Sequence, residues 1–260
     1  MKIKRKENYK IYLYQEPSII SDHSKKRIKD LEFTGLELIE AIVSAGMPDI
    51  YLTKTEKKNK IRQGIIESAE IYSKMLAGKV FLYVYGEEYF EVSFPVDHFL
   101  HLTGVETNLS AREFYKNAKR RKLTNNQFYF DARHPFANVK KKIPCLKRLP
   151  ELTNDTVCIL KDLKTITIVY KLSVTNLEFT LGLIESKDQQ EKKQKDLFLP
   201  MSLRVEDSSI ERSNGGDIVD FIFAKEACID KYNKILVSDK NKTIPDCVKH
   251  LINSELYNLR

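Results

Sequence analysis

The sequence predicts an α+β fold in which helices lead and an antiparallel sheet with packed helices follows. Three observations carry this. Capping boxes open two helical repeats before Gly78, the period switches to strand-like at Lys79, and five further β-branched and aromatic runs lie downstream.

The first element is announced by Thr34 and Glu37, a capping pair after which Leu38, Ile39, Ile42 and Val43 recur at helical spacing. Gly46 and Pro48 end that pattern, so a helix of about three turns is expected. Thr53 and Glu56 open a second helix, in which Ile61, Ile65, Ala69, Tyr72 and Leu76 form one apolar stripe and Gly78 follows the last turn. Such a stripe serves either a core or a partner. Residues 1–77 therefore read as an N-terminal helical module and 78–260 as the main α+β domain.

The main domain opens with a hairpin. Val80–Tyr85 and Tyr89–Phe94 are β-branched and aromatic runs around a short turn containing Gly86. Ser110 and Glu113 make a third capping pair, starting a helix with Phe114, Tyr115 and Ala118 on one face and Arg112, Lys116, Lys119 and Arg120 on the other. Strands are expected at Val157–Leu160, Thr165–Tyr170, Leu177–Ile184, Phe198–Val205 and Ile218–Phe223. Polar Ser186–Asp196 and the Ser/Gly/Asn-rich Asp207–Gly216 read as surface loops. Ile244–Leu259 reads as a closing helix with Pro245 in its first turn.

Charge is unevenly spread. Between Arg112 and Arg148 twelve Lys or Arg face only Glu113 and Asp131, a net of +10 in a chain of net charge +8. Arg112, Lys116, Lys119, Arg120, Arg121, Lys122, Lys140, Lys141 and Lys142 are the candidate nucleic-acid contacts, because like charges repel unless a polyanion compensates them. A solvated lysine-rich surface is the alternative.

Several function classes drop out. The four cysteines, Cys145, Cys158, Cys228 and Cys247, show neither zinc spacing nor a disulfide pattern and read as reduced thiols. No apolar run is long enough to span a bilayer and no apolar leader follows the charged start, so a cytoplasmic protein without membrane contact is expected. Phosphate-loop, dinucleotide, serine-hydrolase and zinc-protease motifs are missing.

The most distinctive stretch is Asp97-His-Phe-Leu-His-Leu-Thr-Gly104, lying between a strand end and a capped helix. Histidine titrates near neutral pH, so an imidazole here can move the protons of RNA cleavage if cations stabilise the developing phosphorane charge. Arg204 and Lys225, each at a strand end, are candidates for that stabilisation. A core histidine held by a backbone carbonyl remains the competing reading of His98 and His101.

The runs Tyr89–Val105, Ser110–Tyr115, Leu199–Glu206 and Asp220–Lys225 resemble the phage-associated group of the barnase/EndoU/colicin/RelE-like nuclease superfamily. The resemblance covers roughly residues 78–240 and implies helices packed on an antiparallel sheet, an RNA substrate, and neither metal nor cofactor. Carried over by position, it marks His101 and Thr103, Ser202 and Arg204, and Lys225 as catalytic candidates, without assigning base, acid or phosphate clamp. It implies a metal-independent endoribonuclease that acts as a toxin or in phage–host conflict, with a neutralising protein or RNA as a further partner. The alternatives are a non-catalytic nucleic-acid-binding protein with a nuclease-like fold and a protein-interaction inhibitor module.

Overall fold

The computed structural model describes residues 2–5, 9–12, 54–165, 168–188, 190–206 and 214–258. The chain divides into two compact units, Met1–Asn59 and Lys60–Arg260. In the first, β1 (Lys2–Arg5) and β2 (Tyr9–Tyr12) pair antiparallel. The helix expected from Thr34 lies outside the described residues.

The second capping pair introduces α1 (Lys54–Met75), and Gly78 at φ +79° gives the chain its left-handed exit. Ile61, Ile65, Ala69, Tyr72 and Leu76 are all buried in the main core. The break between units therefore falls at Asn59 and Lys60, earlier than the change of period at Gly78 suggests. The physical reason is that this stripe closes over the sheet.

The sheet has nine strands: β3 (Lys79–Tyr85), β4 (Glu88–Ser93), β7 (Cys158–Lys164), β8 (Val169–Thr175), β9 (Phe179–Lys187), β10 (Lys193–Val205), β11 (Asn214–Ile218), β12 (Phe221–Glu226) and β13 (Lys234–Ser238). Their order is β11-β7-β8-β9-β10-β4-β3-β12-β13, antiparallel throughout except where β10 meets β4. Period-two alternation sends Phe81 and Tyr83 into the main core and Leu82 and Val84 into a second core on the opposite face. Two expectations of loops give way to strand. β9 and β10 extend as a polar ribbon to Lys187 and from Lys193, and Asn214–Ile218 pairs with β7, because ladder hydrogen bonds hold exposed polar residues as well as apolar ones.

Between β4 and β7 lie a 3₁₀ turn (Val96–His98), α2 (Phe99–Thr103), the small ribbon of β5 (Glu106–Thr107) with β6 (Phe128–Tyr129), α3 (Ala111–Lys119), α4 (Phe136–Lys147) and α5 (Glu151–Asn154). The capping box of Ser110 and Glu113 is present in full. The closing helix is not continuous. It reduces to α6 (Asp246–Lys249), with Pro245 at its cap, and a 3₁₀ turn (Ser254–Asn258). Between them the chain bonds across to Tyr232, whose N–H donates to Leu251 and whose carbonyl accepts from Asn253, and Val248, Ile252 and Leu256 still fill the second core. No helix among the described residues is long and apolar enough to cross a membrane.

Candidate functional site

The position of the site follows from where β10 loses a neighbour. β10 pairs with β4 only at Leu197 and Phe198, whereas its other edge stays paired with β9 to Val205. Beyond Phe198 its free edge meets α2 and α4 instead of a strand, and the His98 ring, in the turn ahead of α2, lies with Nδ1 2.8 Å from the Pro200 carbonyl of β10. A cleft of about 620 Å³ opens here, lined by Gly104, Arg133, His134, Asn138, Lys141, Lys142, Ser202, Leu203, Arg204, Val205 and Glu206. Four permanent cations and an imidazole thus face one carboxylate. That arrangement attracts an anion.

Gly104 forms part of the wall for two reasons. It caps α2 at φ +71°, and a methyl group there would stand 2.9 Å from Lys142 Cδ and 3.1 Å from its Nζ. The Lys142 chain therefore runs along the glycine towards the cleft. Lys141 pairs with Glu206 at 2.5 Å.

At the mouth, His134 Nδ1 stands 3.0 Å from Glu106 and 3.4 Å from Asp131. The nitrogen is shielded from solvent and makes no well-aligned hydrogen bond, so the carboxylates act on it chiefly as charges. Asp131 is fixed by accepting from the His134 backbone N–H at 2.7 Å, and that bond, with the Arg133 N–H and the charges beside it, holds its carboxyl below the ordinary range. With both carboxylates at Nδ1, Nε2 is the ring nitrogen left for a substrate. The ligand atoms of Glu106, Asp131 and His134 lie within 4.8 Å of one another, a spacing that a cation could bridge, but Arg133 already lies 3.6 Å from each carboxylate.

Of the residues expected from sequence, Ser202 and Arg204 line the cleft. His101 is exposed on α2, three positions before Gly104, with its ring centroid 5.8 Å from that of His98. Surrounding protein and His98 push its pKa below the usual histidine value, against a weaker upward pull from Asp97 and Glu106. Thr103 is buried, and its hydroxyl donates to the Leu100 carbonyl at 2.7 Å and accepts from the Val105 N–H at 3.3 Å, so it shapes the turn.

The structure does not bring Lys225 to the cleft. Lys225 pairs with Val80 and Val80 with Ser93, so three strand spacings, about 14 Å, separate its row from β10. Its ammonium bonds the Asp230 carbonyl at 2.8 Å, lies 4.7 Å from the Tyr232 ring centroid, and lines a separate cavity of about 180 Å³.

The basic segment also divides. Arg121 is held bidentately by Glu70, Lys147 pairs with Glu67, and Arg148 with Glu151 and Glu178. Arg112 approaches Asp97 only at 3.9 Å. Lys116, Lys119, Arg120 and Lys122 are exposed, with no carboxylate within ion-pair distance among the described residues, and Lys141 and Lys142 line the cleft itself. Lys140 is half-buried on α4.

Sequence reasoning missed His134, Glu106, Asp131 and Arg133. The available signal was local: an aspartate three residues before a histidine, followed by Pro135 and by Phe136, Val139, Ile143 and Leu146 at helical spacing. No curated protein and no solved structure matches the chain. A family model described as phage-Barnase-EndoU-ColicinE5/D-RelE like nuclease4 matches residues 64–241, a span that begins within α1 and contains every residue of the cleft. The chain belongs to this family of phage-associated nucleases.

Proposed function

We propose that the chain is a metal-independent endoribonuclease and that the cleft beside β10 is its active site. The observation that carries this is an imidazole flanked by two carboxylates at the mouth of a cleft lined with Arg133, Lys141, Lys142 and Arg204. RNA carries its own nucleophile. One imidazole removes the proton of a 2′-hydroxyl, the 2′-oxygen bonds to phosphorus, the bond to the 5′-oxygen breaks, and a second proton donor protonates that leaving oxygen. His134 is our candidate for one of these roles, and His101, on α2 three residues before the cleft-lining Gly104, for the other.

Arg204 and Lys142 stabilise the charge that develops on the phosphate, with the Ser202 hydroxyl beside them as a further donor. The exposed turn of Lys116, Lys119, Arg120 and Lys122 receives the strand further along. The phage association of the family supports a role as a toxin or in phage–host conflict, for which the cationic cleft offers a neutralising protein or RNA an obvious target.

The test is incubation with single-stranded RNA in EDTA, followed by mapping of the new ends. The reading predicts 2′,3′-cyclic phosphates, with cleavage blocked by a 2′-deoxy substitution at the cut site. Cleavage that EDTA abolishes would assign Glu106, Asp131 and His134 to a metal instead, and binding without new ends would leave a non-catalytic nucleic-acid-binding protein.

A further inference from the structure

We infer that Tyr170, seated on Gly182, is a positioning residue for Arg204. The inference rests on the proposed reading of the cleft, in which Arg204 meets the scissile phosphate. Tyr170 is on β8, Gly182 on β9 and Arg204 on β10, three adjacent strands. The Tyr170 ring is 2% exposed, and the guanidinium carbon of Arg204 stands 5.8 Å from its centroid, within cation–π range.

Gly182 explains how a buried ring reaches that position. A methyl group at Gly182 would lie 3.0 Å from both Cδ1 and Cε1 of Tyr170 and 3.1 Å from Cδ2. Nearly equal distances to three ring carbons mean that the ring lies flat over the glycine. Gly182 is not at a positive φ, so its backbone needs no glycine. The space does. Glycine inside a strand costs stability, and a close approach by another group is a common reason for it.

The ladder ties this seat to the cleft. Gly182 pairs with Ser202, and Thr180 with Arg204, so the ring lies over the residue facing one cleft-lining side chain and beside the next on the same face. A guanidinium resting on an aromatic surface keeps its N–H fork in a fixed plane, which suits two-point contact with a phosphate. Tyr170 has no reason to touch the RNA itself.

The experiment is a double-mutant cycle on the full chain with Tyr170→Leu, Arg204→Ala and the pair. It reads affinity for a 2′-O-methyl RNA hexamer, which cannot be cut, and single-turnover cleavage of the unmodified hexamer. Tyr170→Leu should weaken hexamer affinity and cleavage about tenfold in the wild-type background and have little effect once Arg204 is alanine. Tyr170→Phe keeps the ring and should restore what leucine loses, whereas Gly182→Ala should reproduce the leucine phenotype by lifting the ring. Additive losses, or failure of phenylalanine to restore, would overturn the inference, as would a wild-type protein that does not bind the hexamer. If the wild type binds but leaves no cyclic phosphate, the reading of the function fails while the affinity cycle still decides the role of Tyr170.

Discussion

His134 reaches the cleft through side chains from two elements, Glu106 on β5 and Asp131 ahead of α4. Replacing Glu106 with Gln keeps the shape but removes one of the two carboxylates beside Nδ1, so the ring should lose part of what orients it and cleavage should slow. Single-turnover cleavage by this variant, with RNA binding measured in parallel, checks it. His101 gives a prediction of the opposite kind. Its folded-state pKa lies below the usual value of about 6.5, so the unfolded chain binds this proton more readily, and stability should fall as pH drops below about 6.5. His101→Gln should flatten that part of a melting-versus-pH series. At Gly104, alanine meets both a left-handed φ and the Lys142 chain, and the left-handed backbone alone should cost about 1 kcal/mol or more of stability. Thermal denaturation measures it, and an RNA affinity that falls beyond the stability loss would show that Lys142 had moved.

The basic segment acts through its elements. α3 turns Phe114, Tyr115 and Ala118 inwards and exposes Lys116 and Lys119, with Arg120 and Lys122 just past its end. Replacing these four with Gln should flatten the slope of log affinity against log salt by a few units, because each phosphate contact releases about one counterion. Replacing Arg121 should leave the slope almost unchanged, since Glu70 already compensates it. This element was legible from Ser110, Glu113 and the apolar spacing alone. α4 was harder to read because Pro144 interrupts it and lysines crowd its exposed face, although Val139, Ile143 and Leu146 carry the helical period. From sequence the β9–β10 ribbon reads as a loop because polarity does not encode register, and it is the register, with Lys187 opposite Lys193, that makes it strand.

Across the molecule, what the sequence could not contain is the order of the strands. Ser202 and Arg204 were legible as strand-end residues, but the insertion of β3 and β4 between β12 and β10 separates Lys225 from them. The same topology makes α1 part of the main core. Removing residues 1–53 should leave a cooperatively melting protein, whereas a chain starting at Gly78 loses Ile61, Ile65, Tyr72 and Leu76 from the core and should lose cooperativity. The measurement that bears most directly on the cleft as a metal-free ribonuclease site is single-turnover cleavage of RNA in EDTA by the wild type and by His134→Ala, with oligonucleotide binding measured in parallel. The wild type should leave cyclic phosphates, and the variant should cut about 10²-fold more slowly or worse with its affinity nearly intact, as expected for loss of a general acid or base. Unchanged cleavage by the variant would contradict the account.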